Sequence, residues 1–310
     1  MGVVAAAEKQ HRAWRDLLEE RRFLAPALIA PAVIFMAVVV GVPFGWAIYL
    51  SLTDATGGSL TGHFVGFDNF VNAWDDANFR RALRNTLIFT FASQAIVLVC
   101  AAVLSHYLVR DFRGKWLLRL LIIMPWAAPV ALSTIGWLWI FDSAFSVINW
   151  TLGHGLGLVD ANNPPQWLGR PNLALWAIII VHAWRILPFA LVIFIAGLAS
   201  IPTEVEDAAK IDGATGIKKL FYVTLPLQLP IALVALLFGI VFTAADLTVV
   251  FILTNGGPFN STQMLTTWAF QIGINSGSLG EGAAISLYLF PLLVVVTILM
   301  LYFARRAQVT

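Results

Sequence analysis

Ile201-Pro-Thr-Glu-Val-Glu-Asp-Ala-Ala-Lys-Ile-Asp-Gly-Ala-Thr-Gly216 is a short polar island between two long apolar segments, and Leu225-Pro226 follows it closely. Pro202 ends the incoming helix. Thr203 followed by Glu206 has the spacing of a capping box, in which each side chain satisfies the other's backbone N–H. The new helix is expected to carry Val205, Ala208 and Ala209 on one face. It should stop at Gly213, a residue suited to the left-handed position after a helix. Small alanines let another surface approach closely, so the segment reads as a docking element; an amphipathic linker lying on a membrane fits the same residues.

The rest of the 310-residue chain fixes the setting. With 59% hydrophobic and 12% charged residues, it is a membrane protein. A helix needs about 20 apolar residues to cross a bilayer. Six segments qualify, near 23–52, 83–108, 117–141, 173–199, 229–253 and 283–304. The first is interrupted by Pro26, Pro31 and Pro43 and has no short core ending in a cleavage site, so it reads as a span and not as a signal peptide. Residues 1–22 are basic and carry Trp14, which suits an amphipathic helix at the headgroups. Residues 23–310 then form the transmembrane unit, with the polar loop at 200–228.

Lys and Arg set the orientation. Lys9, Arg12, Arg15, Arg21 and Arg22 fall on the same side as Arg110, Arg113, Lys115 and Arg119, and as Lys210, Lys218, Lys219, Arg305 and Arg306. Both termini and the polar loop are therefore expected to be cytoplasmic.

Charged and polar groups inside spans are costly, and they mark either packing or function. Arg185, beside Trp184, can pair with an acid, snorkel to the outer interface, or contact a solute. Asp246 is expected inside the fifth span with Thr243 on its face, either as a solute ligand or as the acid that pairs with Arg185. Asn85 and Gln94 can bond neighbouring helices or line a path. Pro125 and Pro129 should break the third span. Cys100 is the single cysteine, so no disulfide forms within the chain. The five histidines lack ligand spacing, and no phosphate-binding Gly-x-x-x-x-Gly-Lys-Ser/Thr or hydrolase motif occurs. No metal or catalytic residue is expected.

Asp207-Ala-Ala-x-x-Asp212-Gly213-Ala214, followed by Leu225-Pro226 and Pro230, resembles the "EAA" loop of bacterial ABC-importer permeases, with Asp207 where that pattern has Glu. Val65-Gly-Phe-Asp-Asn-Phe70, Pro125-Trp-Ala-Ala-Pro129 and Leu253-Thr-Asn-Gly-Gly-Pro258 are similar to other elements of carbohydrate permeases in that group. The resemblance implies an all-α, six-span type I importer subunit of the maltose, trehalose or glycerol-3-phosphate kind, in the bacterial cytoplasmic membrane. It implies as partners a second permease, two cytoplasmic ATPase subunits holding ATP and Mg, and an extracytoplasmic solute-binding protein. Glu204, Glu206, Asp207, Ala208, Ala209, Asp212, Gly213, Ala214, Leu225 and Pro226 would couple to the ATPase. Asp246, Thr243, Arg185, Trp184, Asn85 and Gln94 would belong to the substrate pathway. An ion-coupled transporter, in which Asp246 and Arg185 relay charge, and a membrane enzyme acting on lipid-linked sugars are the competing readings; the latter lacks a cluster of acids or histidines.

Overall fold

A computed structural model describes residues 21–59 and 61–307. The expected amphipathic segment at the amino terminus, residues 1–22, falls almost wholly outside them. The described residues are helical apart from loops and two isolated β-bridges, Thr53 with Phe64 and Thr56 with Ser59. Five helices are long and apolar enough to cross a membrane, and one bent pair makes a sixth span.

Helix α1, Leu24–Ser51, widens by a π turn at Ala37–Gly41, between its prolines. No residue of its apolar stretch is buried against the rest of the chain. After the short α2, Asp68–Asp75, helix α3 runs Ala77–Val109. It starts six residues before the expected span because the Asp76 carboxylate accepts the Asn78 N–H at 2.9 Å and caps it. The third span is broken as the prolines require: α4, Lys115–Ala127, and α5, Val130–Ile140, meet at 103° across Ala128-Pro129. Helix α6, Pro171–Ala199, begins on a proline, whose missing N–H costs nothing at a helix start.

Beyond α6 lies α7, Thr203–Ile211, and then α8, Gly216–Ala244. The expected fifth span, 229–253, is out of place at both ends. It begins early because a π turn at Leu220–Thr224 accommodates the prolines at 226 and 230 without ending the helix. It ends early because the chain breaks at Ala245–Leu247, ahead of α9, Thr248–Leu253. Residues 216–228 of the supposed loop are thus already helix. Helix α10, Leu265–Phe270, and α11, Leu279–Phe303, complete the chain.

The core is the seam between α3 and α6. Val97, Ala101 and Leu108 on α3 meet Ile186, Ala190 and Phe194 on α6, all buried. These residues are spaced by four or seven positions, one face of a helix. Nearer the other end, Phe89, Ile178 and Val181 pack with Val249 and Val250 of α9. Between lipid-embedded helices the attraction is mainly packing, so small residues matter where backbones approach. Gly197 sits against Ile231 of α8, and Gly280 lies against the Thr53 carbonyl at the end of α1, leaving no room for a Cβ.

Candidate functional site

Two places follow from this architecture: a polar core beside the two helix breaks, and the exposed helix α7.

In the first, an Arg185 Nη2 donates to Asp246 Oδ2 at 2.5 Å, with both side chains mostly buried. Asp246 does not lie within a helix, as the sequence suggested. It stands in the α8–α9 break, where its Oδ1 accepts the Val249 N–H at 2.9 Å and caps α9. Its carbonyl accepts from the Thr266 hydroxyl at 2.9 Å, which ties in α10. The Asp246 carboxylate therefore holds α6 and starts α9, while its backbone carbonyl anchors the chain that leads on to α11.

His182, one turn before Arg185, extends the network. The guanidinium can only donate, so the 3.3 Å contact makes His182 Nδ1 the acceptor. The ring proton then sits on Nε2, which donates to the Thr243 hydroxyl oxygen at 2.9 Å. That oxygen also accepts from Gln94 Nε2 at 2.7 Å, and its own proton goes to the Gly239 carbonyl at 2.7 Å. Thr243 is saturated, and His182, Thr243 and Gln94 are enclosed. His182 links Arg185 to Thr243 and, through it, to Gln94, and neither Thr243 nor Gln94 is exposed in this structure.

Asn85 is enclosed as well. Its amide donates to the carbonyls of Ser261 at 2.7 Å and Gln263 at 3.1 Å, pinning the loop before α10. Trp184 sits edge-on to Trp137, their ring centres 5.4 Å apart, and is not joined to the network.

Several further aromatic rings lie on α4, α6 and α8, and none of them was in the expected pathway set. Trp126, just before the break in the third span, stacks on Phe189 with centres 5.3 Å apart. Phe242 packs edge-on to Phe189 at 5.6 Å, and Phe238 does so at 6.1 Å. Trp126 stays 44% exposed and Phe242 42%, so the rings are supported from behind and open in front. Helical spacing was the available signal: Phe189 is four residues after Arg185, and Phe242 is four before Asp246. The rings lie one turn along α6 from Arg185, near the junction of interrupted spans. Interrupted helices at membrane depth are tolerated where protein or a wet cavity covers the freed backbone.

Gly239 makes the network sensitive to one methyl group. A Cβ there would collide with the Gln94 amide. That amide is buried and bonded, so it can move only by giving up Thr243. Gly239→Ala should destabilise the fold by about 1–3 kcal/mol, an overpacking cost; a thermal-melting comparison in detergent checks it.

At the second place, α7 ends in a complete Schellman motif. Gly213 has φ +73°. Its N–H reaches the Lys210 carbonyl at 3.1 Å, and the Ala214 N–H reaches that of Ala209 at 2.8 Å. The helix start differs from the expected capping box. Pro202 takes the cap position, which moves Thr203 inside the first turn, and neither side chain caps the backbone. Glu206 instead pairs with Lys219 of α8 at 3.1 Å. The face also divides: Val205 and Ala209 turn inward, whereas Glu204, Ala208 and Ile211 lie outward, Ile211 87% exposed. Asp207 and Asp212 are exposed too. Asp207 pairs with Lys210 at 2.8 Å, and this bond and charge hold its carboxyl below the usual carboxylate range and raise the lysine. Of the remaining expected residues, Leu225 is half-buried and Pro226 exposed, both inside α8 and not in the loop.

A bundle of apolar spans, two of them interrupted beside a buried ion pair, with a polar helix held out at one end, is a multi-pass membrane transport subunit. Residues 96–309 match the family described as "Binding-protein-dependent transport system inner membrane component", and the chain belongs to that family. It is 31% identical over 309 residues to the sulfoquinovosyl glycerol transport system permease protein SmoG of Agrobacterium fabrum (strain C58 / ATCC 33970), covering 98% of this chain and 97% of that one. It is 31% identical over 242 residues to the trehalose/maltose transport system permease protein MalF of Thermococcus litoralis, covering 78% and 80%. Among solved structures it matches a chain of a bacterial ABC transporter involved in the import of the acidic polysaccharide alginate, with a TM-score of 0.78 at 19% identity, over 95% of this chain and 99% of that one.

Proposed function

We propose that this chain is one of two transmembrane subunits of an ATP-driven importer for a di- or oligosaccharide. The observation that carries the reading is the open cluster of Trp126, Phe189 and Phe242, one turn along α6 from the Arg185 that pairs with Asp246. Sugar rings present C–H faces that pack on aromatic rings and hydroxyls that bond to charged groups. The rings take the first role. Asp246 and the outer edge of Arg185 take the second, and His182, Thr243 and Gln94 keep Arg185 in place. Relatives named for trehalose/maltose and for sulfoquinovosyl glycerol transport support a carbohydrate.

ATP is hydrolysed on separate subunits in this reading. Helix α7, through Glu204, Asp207, Ala208, Ile211 and Asp212, rests on an ATPase subunit at the cytoplasmic side, where both termini also lie. The inward face (Val205 and Ala209), the Glu206–Lys219 pair and the Ala214 turn carry its movement into α8, and α8 leads directly to the break that holds Asp246. ATP binding favours the closed ATPase pair, and docking of α7 passes that preference to the spans. An extracytoplasmic binding protein delivers the solute.

A phosphorylated polyol is the second reading. Arg185 Nε is buried without a partner, which suits an anion, and a relative is named for sn-glycerol-3-phosphate transport. Uptake into proteoliposomes containing the complete transporter, with ATP inside the cytoplasmic compartment, decides between them. The saccharide reading expects ATP-dependent uptake of a disaccharide, reduced about tenfold or more by Trp126→Ala or Phe242→Ala. Uptake of glycerol-3-phosphate alone selects the second reading. Uptake that needs a proton gradient and no ATP overturns both.

A further inference from the structure

We propose that the cleft between α3 and the first half of α8 is a binding site for an anionic phospholipid of the cytoplasmic leaflet. The cleft has a volume of about 840 Å³ and lies well away from the Arg185–Asp246 pair in sequence and along the spans. Val99 and Val103 line one wall and Leu225 and Leu229 the other, with Phe194 of α6 among the remaining lining. This is the surface an acyl chain requires: apolar, elongated and open along one side to the membrane.

Its length fits one leaflet. The lining on α3 runs from Leu98 to Arg110, a rise of about 18 Å at 1.5 Å per residue. Half of a hydrocarbon core is about 15 Å. The cleft therefore begins near the bilayer middle and opens where headgroups lie.

The charge at the mouth selects the headgroup. Arg110 lines the opening and is exposed, and Arg113 and Lys218 lie close by in sequence to its lining residues, also exposed. None of the three has a carboxylate within ion-pair distance among the described residues, where Lys115, Lys210 and Lys219 each do. The nearest acid in sequence, Asp111, is paired with Lys115 at 3.1 Å. A basic opening above an apolar slot favours a lipid phosphate by about fivefold in affinity per basic residue.

One wall also carries a histidine. His106 lines the cleft one turn from Arg110 and gives its Nδ1 proton to the Ala102 carbonyl at 2.7 Å. Its Nε2 is buried and has no partner. The site rests on the cytoplasmic orientation of α7, and it stands apart from the identity of the transported solute.

The test uses the complete transporter in nanodiscs of phosphatidylcholine with a minor fraction of phosphatidylglycerol, released into detergent and weighed by native mass spectrometry. One phosphatidylglycerol per copy of this chain should remain bound while phosphatidylcholine leaves. Arg110→Gln should weaken retention about fivefold, and Val99→Trp, which fills the slot from a lipid-exposed position, should abolish it. Both positions are exposed, so both variants should fold; unchanged assembly by gel filtration verifies this. Equal retention of the two lipids, or retention unaffected by Val99→Trp, overturns the proposal. So does efficient photo-cross-linking from a benzophenone residue placed at Val103 to the second permease, because the cleft would then be a subunit interface.

Discussion

Asp246→Asn should abolish uptake and lower the melting temperature of the subunit, and the larger part of both effects should come from what it leaves behind. The substitution keeps size and shape but strands the Arg185 guanidinium in a setting where the side chain is only 13% exposed. Removing one partner of a buried pair typically costs about 3–5 kcal/mol. A lone charge near mid-span costs about 2.5–3.5 kcal/mol on insertion scales. The cap on α9 weakens too, because an amide oxygen replaces a carboxylate at the Val249 N–H. Arg185→Gln leaves the reciprocal problem, an unpaired carboxylate, and should be destabilising by a similar amount. The informative variant is the double one. Arg185→Leu with Asp246→Leu removes both charges and should recover most of the stability, since a buried pair is often no better than apolar packing of similar volume. If the pair also serves the solute, uptake will stay lost in that stable double variant. Recovery of stability and uptake together would reduce the pair to a packing device and move the site to the aromatic rings alone.

How much of this was legible follows from the kind of signal each residue carried. Spans are visible because about 20 apolar residues in a row have few other uses. The break in the third span was visible because two prolines remove N–H groups within five residues. The break in the fifth was not, because it contains no proline or glycine: Ala245, Asp246 and Leu247 are compatible with helix, and only the contacts of Asp246 with Arg185 and Val249 favour the interruption. Pro226 and Pro230 misled in the other direction, since a π turn ending two residues before Pro226 absorbs them. The Arg185–Asp246 pairing was open from charge alone. His182 was hidden because a single histidine in an apolar helix has no partner in sequence; its role depends on Thr243, 61 residues away. The aromatic rings were lost among 22 phenylalanines and 12 tryptophans, where only packing distinguishes a supported, open ring from a lipid-facing one.

Gly213→Pro should eliminate transport while the chain still inserts and assembles, because the defect is confined to the end of α7. Gly213 stands at φ +73°, and proline is locked near −65°. Proline also lacks the N–H that reaches the Lys210 carbonyl. The Schellman closure cannot form, so the last turn of α7 opens and the short link to α8 changes course. Space is not the obstacle, because nothing lies within 4 Å of a Cβ built at this position. A graded series is therefore expected. Asn, which tolerates the left-handed region, should be mild, and Ala should cost about 1–2 kcal/mol locally. Pro should be null. Asp207→Lys approaches the same link through charge. Its pair with Lys210 is solvent-exposed and contributes little to folding. Because the folded carboxyl lies below its ordinary range, the group stays ionised at neutral pH, and the pair weakens only as pH falls through that lowered value. Reversing the charge at pH 7 should thus leave melting unchanged, so a loss of uptake reports on the surface that α7 presents. In the complete transporter, both Gly213→Pro and Asp207→Lys should leave the ATPase subunits able to hydrolyse ATP but no longer responsive to solute. Uptake that survives both changes would remove α7 from the coupling path.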